Sequence, residues 1–316
     1  MASMIYYGEV GCEATYSSGV NKGKACRNKA YYEKNGSYFC GVHCRRDRTK
    51  LPVNPKAKEI KEECQNRRNK LVSEVAAENL KAGRRGHVIV TKLRMMKPVD
   101  YCDGYRPVFP NFKHKNRKDG YGCPALSPKS LGPVEHIMPI LPPALNLENF
   151  HQFAKVWPFE IDEYGKQKPE YIEARIKAYK DPIPHRHKYD RKTLKEYGPN
   201  LNKPSFSLFY RTDGTEVHYS YIECRYFYCK KYEELAEKTE EFNCLKQWLN
   251  EGINLQIVGY DGYDITKSVF DHYCDTSRPF GHELVLYTML TIEDSKDYPW
   301  NIIYRNNKST YEGVGI

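Results

Sequence analysis

The chain has 316 residues and a formal net charge of +10, and 40% of its residues are hydrophobic while 28% are charged. No run of about 18 apolar residues is present, which excludes a membrane-spanning helix, and the first residues lack the basic and apolar regions of a secretory signal. Without such a signal, the 11 cysteines indicate reduced thiols or metal ligands rather than a disulfide framework.

The predicted elements follow one another irregularly along the chain. Up to about Pro55 the sequence consists of short pieces separated by Gly, Asn and Ser, and residues 98–147 and 158–200 are predicted as irregular loops and polar loops. The spacing of apolar residues identifies the other elements. These are, in chain order, a helix over Lys56–Gly83, a strand over His87–Met95, a short helix over Leu147–Trp157, a helix near Ile172–Tyr179, a long helix over Ile222–Glu251, a strand over Ile253–Asp261, and the segment His282–Leu290, whose length fits either helix or strand.

This order of elements predicts an α+β protein rather than a regular alternation of strand and helix. At about 150 residues per domain, the length suggests two domains. We expect a small zinc-binding module over residues 1–55, a charged helix with its connecting strand over residues 56–95, and a mainly helical domain with short strands over residues 96–316.

Cys12, Cys26, Cys40 and His43 form the strongest metal-binding pattern, C-x13-C-x13-C-x2-H. Zinc prefers four thiolate or imidazole ligands in a tetrahedron, and a segment of about 50 residues is too short to bury a large core without a cross-link. Cys44 competes as the fourth ligand, but the C-x2-H spacing sets both donors of that pair on one turn. The sequence therefore predicts structural zinc bound by three cysteines and His43, with ordinary reduced cysteines as the alternative.

Glu148, Gln152 and Lys155 stand at positions i, i+4 and i+7 of the predicted helix over Leu147–Trp157. On a helix this spacing places a carboxylate, an amide and an ammonium group along one face, where the lysine can keep the glutamate ionised or bind a phosphate. The alternative is a solvated face opposite buried aromatic side chains. Spacing alone favours that alternative.

Short motifs in the C-terminal two-thirds of the chain resemble the NADAR family of N-glycosidases. PNF at Pro110–Phe112 is similar to the family's SNF-type turn, and ENFHQFAK at Glu148–Lys155 is similar to its E-x3-Q-x2-K helix. The run Asn254–Asp264 resembles the segment that ends in the family's functional aspartate, and Gly281–Leu290 resembles its closing helix. The family's Arg-Asp-Trp and Trp-Gly elements have no counterpart here. The whole chain also resembles proteins of large DNA viruses.

The resemblance implies a hydrolase that cleaves an N-glycosidic bond in a phosphorylated or ADP-ribosylated nucleoside or nucleotide. It assigns catalysis to Glu148 and Asp261, with Asp264 as a close rival of Asp261, because a carboxylate beside the anomeric carbon can stabilise its positive charge or activate a water. The implied substrate-binding residues are Asn111, Phe112, Gln152, Lys155, Arg186 and Asp264. Tyr260 or Tyr263 would stack on the base in place of the missing tryptophan. No catalytic cofactor is expected.

The distribution of charge supports a second function for the front of the chain. Residues 1–120 carry 26 basic and 12 acidic side chains, whereas residues 121–316 carry 24 basic and 28 acidic ones. The alternative is therefore a non-enzymatic zinc protein that binds nucleic acid through residues 1–120, with Arg45, Arg46 and Arg48 as phosphate contacts. A merely solvated basic surface explains the charge equally well. No membrane partner is expected, and the expected location is intracellular, in the host cytoplasm if the protein is viral.

Overall fold

The chain divides into two units, Met1–Arg68 and Asn69–Ile316. The computed structural model describes residues 4–19, 21–95, 97–198, 201 and 203–316. Helices and strands are both present, as the α+β prediction requires. Within the described residues, no helix combines the length and the apolar character needed to cross a bilayer.

The first unit contains a small antiparallel sheet of β1 (Tyr32–Lys34), β2 (Ser37–Phe39) and β3 (Thr49–Lys50), in the order β2-β1-β3. Asn35 and Gly36 connect β1 to β2, and both have positive φ angles, 53° and 79°. Two such residues in a two-residue connection give the hairpin turn whose twist matches the flanking strands. Cys40 follows directly after β2, the second strand of this hairpin.

The charged helix α1 extends over Pro55–Lys81, which confirms the predicted helix, and the division between the units falls within it at Arg68. Most of α1 is exposed, and pairs at i,i+4 such as Lys58–Glu62 and Lys70–Glu74, both 3.7 Å, support its surface.

The second unit holds the remaining elements. They are, in chain order, β4 (Val88–Lys92), β5 (Tyr105–Phe109), β6 (Tyr121–Gly122), α2 (Leu147–Gln152), β7 (Lys155–Val156), α3 (Pro169–Tyr179), α4 (Arg191–Tyr197), β8 (Phe206–Tyr210), β9 (Glu216–Tyr219), α5 (Tyr221–Ala236), α6 (Glu240–Asn250), β10 (Asn254–Gly259), α7 (Val269–Cys274), α8 (His282–Thr291), α9 (Pro299–Asn306) and α10 (Lys308–Tyr311). Short 3-10 turns stand at Pro124–Leu126, Pro158–Glu160 and Ser295–Asp297.

A four-stranded parallel sheet in the order β4-β10-β5-β6 forms the centre of the second unit. Every residue of β10 is buried, as expected for a strand with neighbours on both sides and covered faces. Helix α8 packs on β4, β10 and α5, and α2 also packs on α5. The carboxyl ends of β5 and β10 and the start of α8 therefore meet near α5. A second, antiparallel sheet has the order β7-β8-β9.

The predicted helix over Leu147–Trp157 is wrong in its second half. Helix α2 ends at Gln152, with Phe153 as its C-cap. The chain then pairs with β8, because Leu208 N donates to Ala154 O and Lys155 lies opposite Ser207. Pairing with a strand that lies some 50 residues further on thus ends the helix, and spacing within the segment does not reveal it.

The predicted long helix over Ile222–Glu251 is two helices, α5 and α6. Thr239 caps the second one, since its hydroxyl accepts from Phe242 N at 3.2 Å and donates to Ala236 O at 2.7 Å. The predicted strands His87–Met95 and Ile253–Asp261 are confirmed as β4 and β10. The segment His282–Leu290, for which helix and strand were both possible, forms helix α8. Strands β5 and β6 lie in a stretch predicted as irregular.

Candidate metal centre and carboxylate site

Cys12, Cys26, Cys40 and His43 lie together in the first unit, with one ligand atom from each within 4.8 Å of the other three. His43 Nδ1 is 3.5 Å from Cys12 Sγ and 3.4 Å from Cys40 Sγ, and Cys26 Sγ is 4.0 Å from Cys40 Sγ. Ligands at tetrahedral zinc are about 3.5 to 3.8 Å apart, given its bond lengths to nitrogen and sulfur. The distances from His43 Nδ1 are close to these values, and the four atoms lie near enough to one another to hold a metal ion.

Local backbone hydrogen bonds determine the positions of these four ligands. Cys12 N donates to Asn28 O and Cys26 N donates to Ala14 O, both at 2.8 Å, which holds two loops side by side. Cys40 and His43 belong to one turn, in which His43 N donates to Cys40 O at 3.2 Å. The C-x2-H spacing thus places a sulfur and a ring nitrogen on the same side of a turn, as the sequence predicts.

The sulfur atoms are buried and receive hydrogen bonds. Asn28 N donates to Cys26 Sγ at 3.4 Å and Asn28 Nδ2 donates to Cys40 Sγ at 3.7 Å. Burial raises the pKa of Cys12. For Cys40 burial acts in the same direction, but the amide of His43, the side chain of Asn28 and the amide of Val42 outweigh it and lower the pKa to about 6. Cys40 is therefore largely a thiolate at neutral pH, the form that binds metal.

Cys44, the competing fourth ligand, is buried beside the cluster but is not part of it. Its Sγ donates to Arg46 O at 3.8 Å. The ligand group in the described part of the chain contains His43 instead.

In the second unit, Glu148, Gln152 and Lys155 form a continuous row of hydrogen bonds. Gln152 Nε2 donates to Glu148 Oε1 at 3.3 Å, and Lys155 Nζ donates to Gln152 Oε1 at 3.4 Å. The predicted arrangement on one helix face is wrong for Lys155, because this residue begins β7. The side chains nevertheless meet, since the strand leaves directly from the end of α2.

Arg186 belongs to the same neighbourhood as this row. Burial lowers the pKa of Lys155, and the Arg186 guanidinium lowers it further, whereas the Glu148 carboxylate raises it. Lys155 and Arg186 are thus two cationic groups near one carboxylate. Such a combination favours a bound anion.

Asn149 fixes the loop that carries Arg186. This asparagine is completely buried on α2. Its Nδ2 donates to Ala178 O at 2.9 Å, Asp181 O at 3.1 Å and Ile183 O at 2.9 Å, and its Oδ1 accepts from His185 N at 2.7 Å. One side chain therefore holds four backbone groups that precede Arg186.

The second predicted carboxylate, Asp261, follows β10 and is exposed. Its backbone N–H donates to Glu283 Oε1 at 3.3 Å. Glu283 lies on α8 and is completely buried, and its carboxyl group packs against Gly259, where any side chain would overlap with it. His282, the neighbour of Glu283, places its Nε2 3.1 Å from Pro110 O, after β5. The ends of β5 and β10 and the start of α8 are thereby joined.

Tyr228 on α5 connects the two groups of carboxylates electrostatically. Burial raises the pKa of Tyr228 well above its ordinary value, and electrostatic interactions with Tyr232, Glu148 and Glu283 raise it further. The Tyr228 hydroxyl is consequently protonated at neutral pH. Its ring lies 4.7 Å from the His151 ring on α2, and burial lowers the pKa of His151 well below its ordinary value.

The other predicted site residues lie around the ends of β5 and β10. Asn111 is buried and its Nδ2 donates to Val258 O at 3.0 Å, so it ties the two strand ends together. Phe112 is 42% exposed and Asp264 is also exposed. Of the two candidate stacking residues, Tyr260 is exposed, whereas Tyr263 is covered by Arg278, whose guanidinium lies 5.2 Å from the ring centre.

Comparisons with models of protein families, with curated proteins and with solved structures find no match to this chain. Asn149 and Tyr228 are two residues that the sequence alone does not identify. Asn149 stands in LNLENF, where half of the residues are polar, and Tyr228 is one of 27 tyrosines, so neither residue carries a distinguishing pattern.

Proposed function

We propose that the second unit hydrolyses an N-glycosidic bond in a phosphorylated or ADP-ribosylated nucleoside or nucleotide, in the manner of the NADAR family. One observation carries the proposal: Glu148 is hydrogen bonded in a row with Gln152 and Lys155, with Arg186 within electrostatic reach. The carboxylate of Glu148 can stabilise a cationic reaction centre, and the basic groups of Lys155 and Arg186 can bind a phosphate. The electrostatic interaction of Tyr228 with both Glu148 and Glu283 adds support.

The proposed reaction breaks the bond between the anomeric carbon and a nitrogen and adds water. The anomeric carbon becomes positively charged as the bond lengthens, and the carboxylates of Glu148 and Asp261 stabilise that charge or remove a proton from the attacking water. The water oxygen forms the new bond to carbon, and the leaving nitrogen takes up a proton. Lys155 and Arg186 hold the phosphate group of the substrate, for which the guanidinium offers a bidentate contact.

Replacing Glu148 by glutamine tests this proposal. We expect the rate of base release from an ADP-ribosylated or phosphorylated nucleoside to fall by about 10²- to 10⁴-fold, because the amide has the same shape but cannot carry the negative charge. Free base is measured by chromatography and mass spectrometry. Glu173→Gln is the matched control, since Glu173 is exposed on α3, and it should leave the rate unchanged. Full activity in Glu148→Gln, or no release by the wild-type protein, would contradict the proposal.

We also propose that the ion held by Cys12, Cys26, Cys40 and His43 is zinc and that its role is structural. Three cysteine sulfurs and one imidazole are ligands that favour zinc over harder cations. All four ligand positions are filled by side chains of the chain itself, which is typical of a structural site rather than a catalytic one.

Nucleic-acid binding by the first unit is a second candidate function. Arg45 and Arg46 follow the metal cluster directly and are exposed, so they are available to phosphates. Arg48 is already engaged, because its guanidinium stacks on the Tyr32 ring at 3.6 Å and donates to Cys44 O.

The double variant Arg45→Gln, Arg46→Gln tests this candidate. For a duplex of about 20 base pairs, we expect the affinity at low salt to fall. The slope of log affinity against log salt concentration should decrease by the amount that corresponds to about two phosphate contacts. Binding is followed by fluorescence anisotropy at several salt concentrations. Arg191→Gln, Lys192→Gln on α4 changes the net charge equally and is the control. Equal binding by both double variants would eliminate these arginines as the contact.

A further inference from the structure

Glu283 is a buried acid with too few hydrogen-bond donors. Its side chain is 0% exposed, its Oε1 accepts only a 3.3 Å bond from Asp261 N, and its Oε2 has no hydrogen-bond partner among the described residues. A bare carboxylate in such surroundings is strongly unfavourable. The group that lies against Oε2 is the ring of His282, whose Nδ1 is 3.2 Å away.

The contact of the second ring nitrogen, Nε2, shows which nitrogens of the His282 ring carry hydrogen. Nε2 lies 3.1 Å from Pro110 O, and a carbonyl oxygen only accepts, so Nε2 carries a hydrogen. Nδ1 then lies 3.2 Å from a carboxylate oxygen, and their lone pairs repel unless one of the two atoms carries a proton. We infer that His282 and Glu283 share one proton, located either on Nδ1 or on Oε2, and that this neutral pair positions Asp261.

The neighbouring titratable groups do not neutralise Glu283. Tyr228 and Tyr232 on α5 lie within electrostatic reach of it, and burial raises the pKa of both well above the ordinary value, so both remain neutral hydroxyls. Tyr232 directs its hydroxyl hydrogen elsewhere, to Leu126 O at 2.8 Å. Asp261 itself adds a negative charge.

A neutral pair has a direct consequence for Asp261. A methyl group added at Gly281 would lie 3.0 Å from Glu283 Oε2 and 3.6 Å from Asp261 Oδ2, so these two oxygens are less than about 7 Å apart, close enough for their charges to interact. An ionised Glu283 would oppose the ionisation of Asp261 at this distance. When the pair shares a proton, Glu283 accepts the hydrogen bond from the Asp261 amide, and the carboxylate of Asp261 stays charged. This positioning role rests on the proposed hydrolase function.

The shared proton itself is tested without any substrate. Full-length protein with ¹⁵N-labelled histidine is studied at pH 8 by NMR and by infrared difference spectroscopy against Glu283→Gln, and His282→Gln assigns the ring signal. We expect either an imidazolium signal from His282 or the carbonyl stretch of a protonated carboxyl group, and its loss in Glu283→Gln. A neutral ring together with a fully ionised carboxylate would overturn the inference.

The positioning role is tested by the rate of hydrolysis. Glu283→Gln is neutral, has the same shape and still accepts from Asp261 N, so it should retain activity within about threefold of the wild type, whereas Glu283→Ala should lower kcat by about tenfold or more with little change in KM. A loss in Glu283→Gln as large as in Glu148→Gln would overturn the role, and so would full activity in Glu283→Ala. If the wild-type protein releases no base, the proposed function fails, while the spectra still decide whether the proton is shared.

Discussion

Replacing Cys40 by serine is expected to remove the metal from the protein and to unfold the first unit. Cys40 Sγ lies 3.4 Å from His43 Nδ1 and 4.0 Å from Cys26 Sγ, so its loss leaves three ligands. Binding of structural zinc contributes about 10 kcal/mol or more to the folding of small zinc domains, and the buried side chains of this cluster are few. Metal analysis should give about one zinc per wild-type chain and none for Cys40→Ser.

Limited proteolysis of the full chain provides the second readout for this variant. We expect rapid cleavage before α1 in Cys40→Ser, and in the wild-type protein after treatment with a chelator, while the second unit resists. Cys64→Ser is the matched control, because Cys64 is exposed on α1 and should bind zinc like the wild type. Zinc content and protease resistance that survive the loss of Cys40 would rule out the four-ligand site.

Replacing Gly259 by alanine is expected to cause the largest loss of stability among single methyl additions near the carboxylate site. The added methyl group would overlap with Oε1, Cγ and Cδ of Glu283, which is completely buried. The glutamate side chain must leave its place, and its bond to Asp261 N is lost with it. We expect the free energy of unfolding to fall by about 3 kcal/mol, the upper end for overpacking a core, measured by chemical denaturation.

A double variant separates this steric effect from any general effect of alanine in the strand. In Gly259→Ala, Glu283→Ala the methyl group no longer meets the glutamate, so most of the stability lost in Gly259→Ala should return. The two substitutions should therefore be strongly non-additive, as expected for residues in contact. Additive losses would show that the contact between Gly259 and Glu283 is not the cause.

The metal cluster could be predicted from the sequence because its determinants are local. A tight turn joins Cys40 to His43, and short loops held by neighbouring backbone groups carry Cys12 and Cys26. Spacing alone therefore restricts which atoms can meet. The ordered hairpin at Asn35 and Gly36 is local in the same sense.

The carboxylate site depends on pairings that spacing does not contain. Spacing predicts that Lys155 lies on a helix, but pairing of its segment with β8 makes it a strand residue. The contact between Asp261 and Glu283 requires α8 to pack across the end of β10, which follows only from the assembled sheet. The break at Thr239 is different, because a threonine followed by glutamates is a helix-start signal present in the sequence.

Asn149 has a consequence for how the site responds to its solution conditions. The four backbone groups before Arg186 are held by an amide, which neither titrates nor carries a charge. Added salt weakens the attraction between Arg186 and an anion, but it does not weaken the bonds that hold the loop. At the proposed anion site, the affinity for an anion should therefore fall as the salt concentration rises, while the geometry of the loop stays constant.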